Sequence, residues 1–205
     1  ARRLAEVYPD ARCALDHRSP WELLVATILS AQCTDKMVNE VTPALFEEFP
    51  DAAALAAAPP PRIEALIRRT GFFNQKARAI RACAREVTKR HGGRVPNDFD
   101  ALVGLQGVGR KTASVVLGTA FGQPAVFVDT HVRRLSQRLA LTASADPDRI
   151  EQDLKALLPP AEWTMFCHRL IYHGRITCTA RAPACDVCPL APLCPRIGVD
   201  SPPKR

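Results

Sequence analysis

The sequence predicts an all-α protein. Three observations carry that prediction. Ala, Leu, Arg and Glu dominate, with few β-branched or aromatic runs; apolar residues recur three and four apart along most of the chain; and helix-opening signals such as Ser19-Pro20, Asp51 and Asp146-Pro147 stand just ahead of those stretches. A length of 205 residues suits one domain or two small ones, and 47% hydrophobic residues suffice for a core, which excludes a wholly disordered protein.

Taken in order, Ser19-Pro20-Trp21-Glu22 reads as a capping box with Pro in the first helical position, followed by one apolar face of Trp21, Leu24, Val25, Ile28 and Leu29. After a break at 32–35, Val38, Val41, Leu45, Phe46 and Phe49 mark a second helix, which Pro43 should perturb. Asp51 opens a short Ala-rich helix that Pro59-Pro60-Pro61 is expected to stop. Ile63, Leu66 and Ile67 mark the next, ending at Gly71. Asn74 is read as the cap of a long helix with Ala77, Ile80, Ala84 and Val87 inward and Lys76, Arg78, Arg81, Arg85, Lys89 and Arg90 outward, balanced by a single acid, Glu86. A solvated face and a polyanion-facing one fit that charge run about equally. Gly92-Gly93 ends it. A short helix at 98–104, a turn at 105–109 and a helix from Arg110 to about Phe121 follow. The last three helices hold Val132, Leu135 and Leu139 behind Asp129; Ile150, Leu154, Leu157 and Leu158; and Trp163, Phe166, Cys167, Leu170 and Ile171, closed by Gly174. Beyond Arg175 the chain reads as loop, and from Ile197 to Arg205 as a mobile tail.

The net charge of +7 favours an anionic partner, nucleic acid before a small anionic substrate. No apolar run approaches the roughly 20 residues needed to cross a bilayer, so no membrane partner is expected. Four of the eight cysteines lie singly in helical patterns and four cluster near the end, which fits a reducing, cytoplasmic compartment and one metal site.

That cluster, Cys178, Cys185, Cys188 and Cys194, has the spacing Cys-x6-Cys-x2-Cys-x5-Cys. The outer gaps are wide for structural zinc, whose cysteines usually pair at two to four residues. A [4Fe-4S] cluster is therefore preferred to zinc, and disulfides come last. Pro183, Pro189, Pro192 and Pro195 leave the loop little secondary structure, so the metal group should hold it and display Arg175, Arg181 and Arg196.

The second signal is Leu105-Gln106-Gly107-Val108-Gly109-Arg110-Lys111-Thr112. Gly104 and Gly109 ahead of Lys-Thr approach a phosphate-binding P-loop, but one residue is inserted and no buried strand precedes it. A helix–hairpin–helix fits better: Gly107 and Gly109 admit backbone angles that other residues resist, and N–H groups of the turn and of the next helix can face a DNA phosphate. An ordinary interhelical turn fits the glycines taken alone. Lys111 adds a nucleophile. Its place at a helix N terminus beside Arg110 disfavours the ammonium, and covalent attack on a sugar carbon needs the free amine. Asp129 can cap the helix behind it or face Lys111, and a close carboxylate would favour the charged amine.

Ser30-Ala31-Gln32-Cys33-Thr34-Asp35, Leu105–Ala113, Val128–Arg133, His173-Gly174-Arg175 and the four-cysteine spacing together resemble the bacterial endonuclease III family, over about 21–194. The resemblance implies two helical lobes with DNA in the groove between them: a six-helix barrel carrying the hairpin at 19–122, and an iron–sulfur lobe at 1–18 and 123–205. It implies a DNA glycosylase/AP lyase of base excision repair acting, as a monomer, on duplex DNA with damaged bases or abasic sites. Lys111 would attack C1′ of a flipped oxidised pyrimidine nucleotide; the Schiff base would then permit β-elimination and a 3′ nick, with Asp129 assisting. Gln32 would fill the gap left in the duplex, Phe72 would act as the wedge, and Gly107, Val108 and Gly109 would hold phosphate through the backbone, with Arg110 and His131 also on DNA. Cys178, Cys185, Cys188 and Cys194 would hold the [4Fe-4S] cluster. The chain departs from the family at Gln106, usually proline, which is expected to loosen the turn; at Cys33, commonly alanine; and at Phe72-Phe73, usually Leu-Tyr, a bulkier wedge. A mismatch-specific adenine or thymine glycosylase of the same fold, a non-catalytic zinc-stapled DNA-binding module and a redox sensor are the competing readings. The relatives in the first group typically lack the hairpin lysine, the second leaves Lys111 and Asp129 unexplained, and the third needs one-electron chemistry.

Overall fold

The computed structural model describes residues 1–199, and no strand occurs among them. The expected tail lies partly outside those residues. Its first part is not loose: Ile197 N–H donates to Arg138 O at 3.2 Å. Among the described residues no helix is long and apolar enough to cross a membrane.

A short helix, α1 (Arg2–Val7), opens the chain. The segment Cys13–Gln123 then forms one compact unit from α2 (Pro20–Leu29), α3 (Asp35–Glu48), α4 (Ala52–Ala57), α5 (Pro60–Ile67), α6 (Phe73–His91), α7 (Phe99–Val103) and α8 (Arg110–Ala120). At its centre is α2, which packs on α3, α6 and α8. One buried face was expected of it, but every residue from Trp21 to Leu29 is buried, as suits a helix apolar nearly all round. The Ser19 side chain accepts the Glu22 N–H at 3.2 Å, whereas Glu22 closes the cap one residue earlier than a capping box requires, on Arg18 N–H at 2.7 Å.

Pro43 lies inside α3, which runs on past it to Glu48. The proline triplet does not merely stop α4; Pro60 opens α5, where a missing N–H costs nothing. Phe72, not Asn74, is the N-cap of α6, and Lys76, expected on an outer face, is buried.

The second unit comprises Ala1–Arg12 and the chain from Pro124 onward, with α1, α9 (Thr130–Arg138), α10 (Pro147–Leu157) and α11 (Trp163–Ile176). Phe127, Leu135, Ile150, Leu154 and Leu170 form its buried interior. Gly174 was read as the end of α11 but lies inside it. A Cβ there would stand 2.9 Å from His131 Nδ1, so this glycine marks a close approach of α11 to α9. Among the described residues beyond α11, two three-residue 3-10 turns, Cys185–Val187 and Ala191–Leu193, interrupt the loop.

Candidate functional site

In the first unit, α7 and α8 are joined by a turn that Leu105 and Val108 anchor with buried side chains. Leu105 N–H donates to Leu102 O at 3.0 Å and Val108 N–H to Leu105 O at 3.1 Å. Gly107 has φ +80°, where a side chain is strained. Gly109 has φ −93° and ψ 173°, extended backbone open to any residue, so the special angle expected of both glycines belongs to Gly107 alone. The N–H of Gln106, which a proline would lack, donates to Glu86 Oε2 at 2.7 Å. The departure expected to loosen the turn is thus met by a partner on α6.

No side chain caps α8, whose N-cap is Gly109. N–H groups of a helix's first turn have no intrahelical acceptor, so this end is suited to an anion. Lys111, the second residue of α8, is exposed, and the Arg110 guanidinium lies over the Phe99 ring at 5.0 Å.

Gln32 and Phe72 share an unusual property. Both are non-glycine residues in the left-handed region, with φ of 50° and 47°. Both are exposed, Phe72 by 62%. Such conformations persist only where the surroundings impose them and concentrate at functional sites. Beneath Phe72, the buried Lys76 donates from Nζ to Thr70 O at 2.8 Å and pins the loop ahead of α6. Burial lowers its pKa, while the nearby Cys33 acts in the opposite direction.

In the second unit Asp129 is the N-cap of α9, its Oδ1 accepting the Val132 N–H at 2.7 Å. It is half-buried, and His131 two residues on is half-buried too. Burial lowers the His131 pKa against the pull of Asp129, and Arg134 and Arg175 lower it further.

All four clustered cysteines are free thiols lining one pocket, together with Leu135, Arg138, His173 and Leu190. No group of three His, Cys, Asp or Glu side chains among the described residues is gathered closely enough to hold a single metal ion. Four cysteines on one pocket are a donor set suited to an iron–sulfur cluster. Arg138 Nη1 donates to Cys178 Sγ at 3.2 Å and to Thr179 O at 2.8 Å, and its Nη2 donates to Ala180 O at 3.0 Å. His173 Nε2 lies 3.5 Å from Cys188 Sγ, and its Nδ1 lies 3.0 Å from the Tyr8 hydroxyl. N–H donors aimed at thiolates are the usual outer partners of iron–sulfur ligands. Arg134 ties α9 to α11 through Gly174 O at 2.9 Å and to the same loop through Cys178 O at 3.0 Å.

Sequence reasoning named Lys76 and Glu86 only as parts of a charged helix and passed over Arg134 and Arg138. The last two stand four apart and so share one face of α9, beside its apolar face of Val132, Leu135 and Leu139, and Arg138 is buried there. For Glu86, being the only acid on a basic helix was the hint.

The family described as HhH-GPD superfamily base excision DNA repair protein matches residues 25–160, and the iron–sulfur binding domain of endonuclease III matches 178–194. The endonuclease III of Synechocystis sp. is 55% identical over 193 residues, 94% of this chain and 88% of that protein. The endonuclease III of Escherichia coli K12 is 42% identical over 193 residues, 94% of this chain and 91% of that one. Among solved structures, a trapped endonuclease III–DNA covalent intermediate superposes with a TM-score of 0.91 at 44% identity, covering 95% of this chain and 92% of the other. A thermostable thymine-DNA glycosylase gives 0.86 at 25% identity, covering 95% and 93%.

Proposed function

The chain belongs to the endonuclease III family of HhH-GPD base excision repair enzymes, is a DNA glycosylase/AP lyase with a [4Fe-4S] cluster, and on that premise we propose that Lys111 is its nucleophile and oxidised pyrimidines its substrates. The observation that carries this is the position of Lys111: an exposed amine in the first turn of a helix that no side chain caps, leaving a glycine turn.

In this reading Gly107 and Gly109 present N–H groups to a backbone phosphate and Arg110 adds charge, while Val108, expected to join them, donates its N–H to Leu105 O and anchors the turn instead. Phe72 wedges into the duplex, Gln32 occupies the space of the extruded nucleotide, and His131 also meets DNA. The Lys111 amine bonds to C1′ as the damaged base departs with a proton. The sugar ring then opens at the C1′–O4′ bond, O4′ taking up a proton, to give the Schiff base; this acidifies the C2′ hydrogen, and loss of that proton expels the 3′ phosphate and nicks the strand. Asp129 stabilises the positive charge that develops on the sugar and takes part in proton transfer. Cys178, Cys185, Cys188 and Cys194 hold the cluster, which pins the loop bearing Arg181 and Arg196, whereas Arg175, expected on that loop, stands in the last turn of α11. The residues at 19–122, and those at 1–18 with 123–205, act as the two lobes of a monomer in a reducing, cytoplasmic compartment, on duplexes with damaged bases or abasic sites.

Borohydride should trap a covalent adduct between the protein and a duplex holding one thymine glycol, and Lys111→Gln should abolish it. Comparing base released with strand nicked, on thymine glycol, an oxidised purine and a mismatch, tests substrate class and bifunctionality together. Adduct persisting in the variant would place the nucleophile elsewhere.

A further inference from the structure

The helix α6 carries six Lys and Arg residues and one acid, Glu86. On an isolated basic helix that acid would pair with Lys89 or Arg90, one turn away. Its carboxylate instead reaches 20 positions along the chain, accepting the Gln106 N–H at 2.7 Å, the short distance of a charge-assisted bond. Ala79, two turns earlier on the same face of α6, is the other contact: its Cβ lies 3.1 Å from where a Cβ on Gly107 would stand. Two adjacent residues of the glycine turn are therefore seated on one stripe of α6, one by shape and one by charge.

A carboxylate beside a surface that meets a polyanion is electrostatically unfavourable, so its presence there asks for a compensating role. We propose that Glu86 is a positioning residue for DNA binding. It holds the Gln106 peptide so that the neighbouring N–H groups of the turn keep the orientation in which they meet a phosphate. This rests on the reading that the turn binds phosphate. Gln106 lacks the fixed φ and the missing donor of a proline, and the α6 carboxylate supplies the rigidity from outside the turn.

Two effects of Glu86→Ala then have opposite signs. Loss of a negative charge near DNA strengthens binding; loss of the seat weakens it. The proposal has the second win. Glu86→Ala should weaken binding of a duplex bearing an abasic-site analogue by roughly fivefold at fixed salt, and speed hydrogen exchange at the Gln106 amide by roughly tenfold, leaving the central α6 amides unchanged. Glu86→Gln, which keeps an acceptor oxygen, should recover most of both. In a Gln106→Pro background there is no donor to seat, so Glu86→Ala should there leave affinity equal or tighter. Reversal of sign is an outcome that a merely destabilising substitution does not produce. Unchanged exchange together with unchanged or tighter binding in Glu86→Ala overturns the proposal. Faster exchange with unchanged affinity instead overturns the phosphate-binding role of the turn beneath it. Should the proline variant fail to fold, the Ala and Gln variants at position 86 decide by themselves.

Discussion

Asp129 Oδ1 accepts the Val132 N–H and thereby starts α9, while the proposed chemistry asks the same carboxylate to stabilise charge on a sugar. One pair of substitutions separates the two tasks. Asn caps a helix about as well as Asp, so Asp129→Asn should unfold within about 0.5 kcal/mol of the parent, whereas Asp129→Ala should lose about 1 kcal/mol. Single-turnover base release should fall about 100-fold or more in both. An Asn variant that keeps full activity would leave Asp129 as a cap and nothing else. A second residue, His168 on α11, is buried with its ring edge-on to Phe127, the centroids 5.0 Å apart. Burial lowers its pKa from 6.5 to about 4, against an opposing pull from Asp129. The unfolded chain takes up this proton first as pH falls, so the stability it confers is complete above 6.5 and is lost towards 4, by up to about 3 kcal/mol. Denaturant titrations at pH 7 and pH 4.5 should show His168→Asn with a distinctly flatter dependence than the parent. Parallel curves would remove His168 from the account.

At the scale of elements, α9 and α11 owe their approach to one missing side chain. A Cβ at Gly174 would meet His131 Nδ1 at 2.9 Å and Arg134 Nη2 at 3.1 Å. Gly174→Ala should therefore cost about 1–3 kcal/mol, read as a lower unfolding midpoint, although alanine is the better helix former. A midpoint that rises would show that the helices part without cost. This glycine also shows why the end of α11 was misread. Local propensity marks a glycine as a stop, but packing between helices can demand one mid-helix, and the demand is invisible until the partner helix is known. The start of α6 has a similar history. Asn74 is a good cap by composition, yet the loop is set by Lys76 holding Thr70 O and by Phe72 in the left-handed region, so the helix begins earlier. Where caps depend only on neighbours in sequence, as at Ser19, Asp51, Asp129 and Asp146, they were legible in advance.

For the molecule as a whole, the cysteine loop is the part that depends most on a bound group. Residues 178–194 contain only short 3-10 turns, and Arg138 and His173 reach them from the helices. Removing the cluster by oxidation and chelation should leave the far-ultraviolet circular dichroism nearly intact, since α1 and α9–α11 persist. Trypsin should then cut after Arg181 roughly tenfold faster than in the loaded protein, and affinity for duplex DNA should fall. Equal cleavage rates with and without the cluster would show a loop that folds by itself.

What the residues fixed unaided was the helical class, most element positions, the four-cysteine group and the lysine behind the glycine turn, because periodicity, capping and ligand spacing are properties of short stretches. The seating of that turn on Ala79 and Glu86, the burial of Lys76 beneath Phe72 and the arginines of α9 on the cysteine loop were decided only in three dimensions. Each joins residues far apart in the chain, or buries a charge that local pattern assigns to solvent, and no short-range rule chooses among the acceptors a folded chain can offer.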